Sequence, residues 1–119
     1  MRVPVALCSV LMCACISPIV VAQDAVKADP KHYTVVSEND DVRILRVHYG
    51  PHEKSSMHSH PKSVAVFLTD SKAHFTLPDG KTQDMSVKAG ESMYTAAGTH
   101  LPENTGDKDM ELILVELKK

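Results

Sequence analysis

His58-Ser59-His60 is the first place along the chain where residue type and spacing could do chemistry. Neutral imidazole is the commonest side-chain ligand for borderline divalent ions. The two-residue period of an extended strand sends His58 and His60 to one face, where both could grip a single ion. On spacing alone the pair reads equally well as two histidines in a wet loop. Seven histidines in 119 residues are the anomaly of the composition, and several have solvent-facing readings. His48 and His74 fall on the opposite parity from the apolar sets Leu45, Val47, Tyr49 and Ala73, Phe75, Leu77, so both are expected at the surface. His52, beside Glu53 in the loop leading to the pair, is a candidate acid–base residue, with a solvated loop histidine as the alternative.

The elements that must position these residues are strands. Thr34–Val36 and Val42–Tyr49 are rich in β-branched residues and separated by the turn-forming Ser37-Glu38-Asn39-Asp40, which predicts an antiparallel pair. Val64–Thr69 is apolar on both faces, as a strand covered on both sides should be. Lys72–Leu77 and Lys81–Val87 flank Pro78-Asp79-Gly80 and read as a hairpin. Glu91–Tyr94 follows the turn Lys88-Ala89-Gly90, Ala97-Gly98 is a tight bend, and Glu111–Leu117 closes the chain after the polar Asn104–Asp109 loop. No helix of useful length is predicted, and the short, evenly spaced strands predict an all-β sandwich or barrel without internal repeats.

The N-terminus is of another kind. Arg2 precedes an uncharged apolar stretch to Val21, and Val20-Val21-Ala22 supplies small or branched residues for cleavage, so residues 1–22 read as a signal peptide and the protein as periplasmic or secreted. Pro18 and the shortness of Leu7–Val21 argue against a membrane anchor, which needs roughly 20 apolar residues. Cleavage after Ala22 removes Cys8, Cys13 and Cys15, the only cysteines, and with them any disulfide or thiolate ligand. It also removes Arg2, so that twelve basic residues face fifteen acidic ones, a net charge of −3. With no basic cluster or aromatic platform, nucleic-acid binding has no support. Residues 23–32 are polar and aperiodic and read as a loose arm, with His32 uninvolved. Residues 33–119 form one small domain, whose modest core, with a Thr34–Val36 strand that could cap a partner's sheet edge, suggests a possible homodimer.

A second segment joins the histidine pair: Gly90-Glu91-Ser92-Met93-Tyr94-Thr95-Ala96-Ala97-Gly98-Thr99-His100, followed by Asn104. Together the two resemble the motifs of the cupin family, whose first places H-x-H before a glutamate and whose second runs from glycine through P-x-G to histidine and then asparagine. His58 and His60 match the first; Gly90, Gly98, His100 and Asn104 match the second, while Ala96 stands at the proline position. The resemblance implies a cupin-type double-stranded β-helix, a jelly-roll barrel. It also implies one divalent metal ion (Fe, Mn, Ni or Zn) held by His58, His60 and His100. The family's glutamate falls at Val64 by parity with the histidines, so the implied ligand set is three histidines, as in the thiol dioxygenases of the family. Glu103 is a candidate substitute ligand, Lys62 a candidate partner for a substrate carboxylate, and Tyr94 a catalytic candidate if its hydroxyl is buried. Phe75, Met85 and Met93 could line a pocket or simply fill the core. The expected function is a metal-dependent, oxygenase-like or isomerase-like enzyme acting on a small anionic molecule. The alternative is a non-catalytic small-molecule or metal-binding module of the cell envelope.

Overall fold

The computed structural model describes residues 23–119. The signal-peptide reading of residues 1–22 lies outside the described residues. Nine strands form two antiparallel sheets: β1 (Tyr33–Glu38), β2 (Val42–Tyr49), β3 (His58–His60), β4 (Ser63–Phe67), β5 (Ser71–Thr76), β6 (Thr82–Val87), β7 (Ser92–Thr95), β8 (Gly98–Asn104) and β9 (Met110–Leu117). One sheet has the order β1-β2-β9-β4-β7 and the other β3-β8-β5-β6. The chain passes repeatedly from one sheet to the other, the arrangement of a double-stranded β-helix.

Alternation explains which residues face inward. Leu45, Val47 and Tyr49 of β2 and Met110, Leu112 and Leu114 of β9 are buried, while the residues between them are less so. Ala65 and Phe67 of β4 and Ala73 of β5 complete the centre. Leu45 has no exposed surface, and truncating such a side chain to alanine typically costs about 2–5 kcal/mol. The β5–β6 hairpin turns where expected, with Gly80 at φ +86°, a conformation that disfavours a Cβ.

Three expectations change. Gly98–Asn104, read as a bend followed by unassigned chain, is a full strand, because its backbone pairs with β3 on one side and β5 on the other. The strand at Thr34–Val36 is longer than expected and lies at the sheet edge, with a bulge at Val36. Finally, residues 23–32 are not a loose arm. They carry the short helix α1 (Ala25–Ala28), capped by Asp24, and Ala25, Asp29 and His32 are buried. The helix propensity of four residues is too weak to announce itself in sequence; packing holds it.

Candidate metal centre

Antiparallel pairing of β3 with β8 sets His58 directly opposite His100 and His60 opposite Gly98. Ser59 and Thr99 face the other way and bond through their hydroxyls at 2.7 Å. The three imidazoles therefore converge, with ring centroids 4.7, 5.0 and 5.2 Å apart and planes 78–89° to one another. One nitrogen from each lies within 4.8 Å of the other two.

Hydrogen bonds fix which nitrogen faces inward. Nδ1 of His58 donates to the Ser56 carbonyl at 2.9 Å, and Nδ1 of His60 donates to the Glu116 carboxylate at 2.9 Å. The Nε2 atoms of His58 and His100 are buried with no hydrogen-bond partner. A buried polar atom without a partner typically costs about 1–3 kcal/mol, a cost that a ligand bound by both atoms would offset. The donor set suits a divalent ion of the iron–zinc series, which imidazole binds readily, and outward hydrogen bonds at Nδ1 are the usual support of a metal-binding histidine. Burial, with the nearby His60 as the second cause, lowers the His58 pKa to about 4. Burial followed by the charges of His60 and His58 lowers that of His100 to about 3. Both rings are thus neutral at pH 7, with lone pairs free to donate.

His58 is fully buried beside His60 and His100, which line a cavity of about 450 Å³ between the sheets. Its walls are mostly apolar and include Ala65, Phe67, Phe75, Met85 and Met93; Phe75 stacks on His100 at 5.2 Å. Tyr33 packs on both His58 and His60, and its hydroxyl bonds that of Tyr49 at 2.7 Å. Among the described residues no lysine or arginine lines the cavity, and its one carboxylate, Asp84, is paired with His74.

The other sequence candidates lie elsewhere. Tyr94 is 64% exposed, on the opposite face of β7 from the cavity-lining Met93 and Thr95, so the expectation that it serves catalysis is not supported. His52 is also exposed and bonds Asp107 at 2.8 Å, away from the cavity lining. Glu103 has the opposite parity from His100 on β8 and bridges Lys54; Lys62 is exposed. His48 and His74 pair with Asp109 and Asp84 near the surface, as expected. Val64 does not share the histidine face: β3 and β4 belong to different sheets, so parity counted across Pro61-Lys62 is lost. Val64 lies on the outer face beside Val115 and Tyr94, and the cavity-facing position is Ala65.

Sequence reasoning missed the groups behind the histidines. Glu116 is 2% exposed and bonds both His60 and Arg43, which in turn pairs with Asp24. A signal was present. Arg43 shares the face of Leu45 and Val47, and Glu116 that of Leu112 and Leu114, so each of two neighbouring strands carries a charge where the pattern calls for an apolar residue. His32 stacks on Tyr49 at 4.2 Å and bonds Asp29 at 2.6 Å.

Residues 45–116 match the cupin domain family. The chain belongs to that family. Among solved structures it is similar to a cupin domain from Bordetella pertussis, with 20% identity, a TM-score of 0.68 and coverage of 84% of this chain and 99% of the other. A double-stranded β-helix protein from Klebsiella pneumoniae gives 20% identity, a TM-score of 0.58 and coverages of 71% and 74%. An RmlC-like cupin from Methanocaldococcus jannaschii gives 16%, 0.57, 71% and 77%. At these identities the likeness concerns the fold. No curated protein sequence matches the chain.

Proposed function

We propose that this cupin holds one divalent metal ion on His58, His60 and His100 and acts as an enzyme, oxygenase-like or isomerase-like, on a small molecule with an anionic head and an apolar body. The observation that carries this reading is the pair of buried, unpartnered Nε2 atoms of His58 and His100, in a three-histidine group of which His60 and His100 line an apolar cavity. A divalent ion held there by His58, His60 and His100 would supply Lewis-acid chemistry and, if it were iron, access to electron-transfer chemistry. The chain's own residues do the rest. The three imidazoles are neutral donors and leave the ion's charge uncompensated, and no lysine or arginine lines the cavity among the described residues, so an anionic head is drawn to the histidine end. Phe67, Phe75 and Met93 line the space for the apolar body.

One observation favours a second reading, a non-catalytic binding module. Tyr33 and Tyr49 bond each other and burial raises both pKa values, while Asp84 is engaged by His74. Few cavity-lining groups are left to shuttle a proton. Metal analysis of native protein, then oxygen uptake and product formation with a panel of small acids and thiols, separates the two. About one ion per chain with turnover supports the enzyme; the ion without turnover supports the binding module; absence of any ion removes both.

The missing carboxylate gives a further test. Ala65→Glu would place an acid on the cavity wall, and two opposite unit charges about 4 Å apart attract by roughly 4 kcal/mol near a protein surface. Desolvation offsets part of this. Zinc affinity in chelator competition is expected to rise about tenfold, and azide binding to weaken. Unchanged azide binding would remove the argument that the site is short of negative charge.

Export to the periplasm or exterior, with cleavage after Ala22, is part of the proposal, as is pairing of two copies. Val36 and Tyr94 are exposed on the outer side of the five-stranded sheet, where Ile44, Val115, Val64 and Tyr94 make an apolar row across four strands. Native mass spectrometry of the protein from its cell of origin checks both: the expected species is a dimer of chains beginning at Gln23. A monomer, or chains retaining Met1, would count against the respective claim.

A further inference from the structure

We infer that the segment Gln23–His32 is a working part of the metal centre: it fixes His58 and His60 from behind, so that its docking and metal binding stabilise each other. The inference rests on the metal reading above, and Asp24, Asp29 and Glu116 are positioning residues in it.

β3 is the edge of its sheet, with β8 on one side. The segment takes the other side. The carbonyl of Gln23 accepts a hydrogen bond from Ser59 N at 2.9 Å, the amide between the two histidines, and Asp24 forms a parallel bridge to Ser59. Two side-chain routes then run from the segment to the imidazoles. In the first, Asp24 pairs with Arg43, Arg43 Nε donates to Glu116 Oε1 at 2.6 Å, and Glu116 Oε2 accepts from Nδ1 of His60. In the second, Asp29 accepts from Ser55 Oγ at 2.5 Å, and that hydroxyl lies 3.3 Å from Nδ1 of His58. Ser56, whose carbonyl takes the His58 proton, is itself tied through its hydroxyl to the Ala28 carbonyl at 3.2 Å.

The physical effect of both routes is the same. An acceptor behind Nδ1 holds the proton there, leaves the lone pair on Nε2, and fixes the ring plane so that the lone pair faces the other imidazoles of the group. Ion pairs as buried as Arg43–Glu116 are poor stabilisers compared with apolar packing, because desolvation cancels much of their attraction. Their placement is explained by what they end on. Because a docked segment favours the metal-binding geometry, linkage requires that bound metal favour the docked segment by the same factor.

The test uses the chain from Gln23 and zinc as probe, with Glu116→Gln, Asp24→Asn and Asp29→Asn compared with Asp109→Asn, which alters an exposed pair with His48 outside the cavity lining. Ser55→Ala is the milder variant should Asp29→Asn not fold, since it cuts only the hydroxyl link. In metal-free protein near pH 8, imidazole 15N shifts are expected to show His58 and His60 as Nδ1–H tautomers, and the variants to mix the tautomer of the histidine each one supports. Zinc affinity is expected to fall about 10–100-fold in Glu116→Gln, several-fold in Asp24→Asn and Asp29→Asn, and not in Asp109→Asn. Amide exchange in residues 23–32 and at Ser59 is expected to slow when zinc is added. Parental tautomers and parental zinc affinity in folded Asp24→Asn and Asp29→Asn (or Ser55→Ala) would overturn the inference. A parent that binds no zinc would remove the metal reading instead, while the tautomers still decide the positioning.

Discussion

His58→Ala, His60→Ala and His100→Ala are each expected to weaken metal binding by more than about 100-fold, beyond the loss usual for an outer hydrogen-bond partner. His48→Ala and His74→Ala, which remove imidazoles paired near the surface, are expected to leave metal content at the parental level. The same residues carry an opposite expectation for stability. His100 Nε2 is buried without a partner and its ring stacks on Phe75, so His100→Leu replaces an unsatisfied polar group by an apolar one. The metal-free variant is expected to be more stable than the parent by about 1 kcal/mol in urea unfolding, within the range such an atom costs, while losing the metal. A site selected for stability alone would not show that opposition. Metal content unaffected by all three histidine changes would defeat the metal reading.

Acid is expected to unfold the metal-free protein early. His58 and His100 titrate near 6.5 in an unfolded chain but only at about 4 and about 3 in the folded one, chiefly because burial disfavours their charged forms. Above pH 6.5 neither state binds these protons and the two histidines leave stability independent of pH. Below it the unfolded chain takes up protons that the folded chain refuses, so stability falls with pH, by about 1.4 kcal/mol per pH unit for each histidine, until the folded values are reached. Asp24 and Asp29 have lowered pKa values: burial raises each, but Arg43 outweighs it for Asp24, and Ser55 and His32 for Asp29. Their contribution is present above the ordinary carboxylate range and lost below it. Urea midpoints measured between about pH 7 and 4 check the slope, and His100→Leu should remove its part of it. A midpoint flat down to pH 4.5 would contradict the burial of both rings.

Much of the architecture was legible because a strand repeats every two residues. Leu45, Val47 and Tyr49 announce an inward face, and β2 has the same limits in structure as in sequence. Pro78-Asp79-Gly80 announces a turn. The strand at Gly98–Asn104 was not legible, since its residues lack β-branched alternation and its pairing with β3 and β5 comes from distant segments. Parity also fails where the chain changes sheets. Counting from His60 through Lys62 points to Val64, but the step from β3 to β4 turns the backbone and makes Ala65 the cavity residue.

The sequence by itself determined that the chain is all-β, because strand periodicity and turns are local, and its two motifs in order carry the cupin resemblance that singles out His58, His60 and His100 as candidate ligands. The tertiary structure alone decided what surrounds them. It put Tyr94 and His52 outside the cavity, packed residues 23–32 against β3, and brought Asp24, Arg43 and Glu116 into one line behind His60. Asp24 and Glu116 are 92 positions apart in the chain, and no periodicity within either segment encodes the other's position. Contacts of that separation are set by which strands share a sheet, and that is settled only when the whole barrel closes.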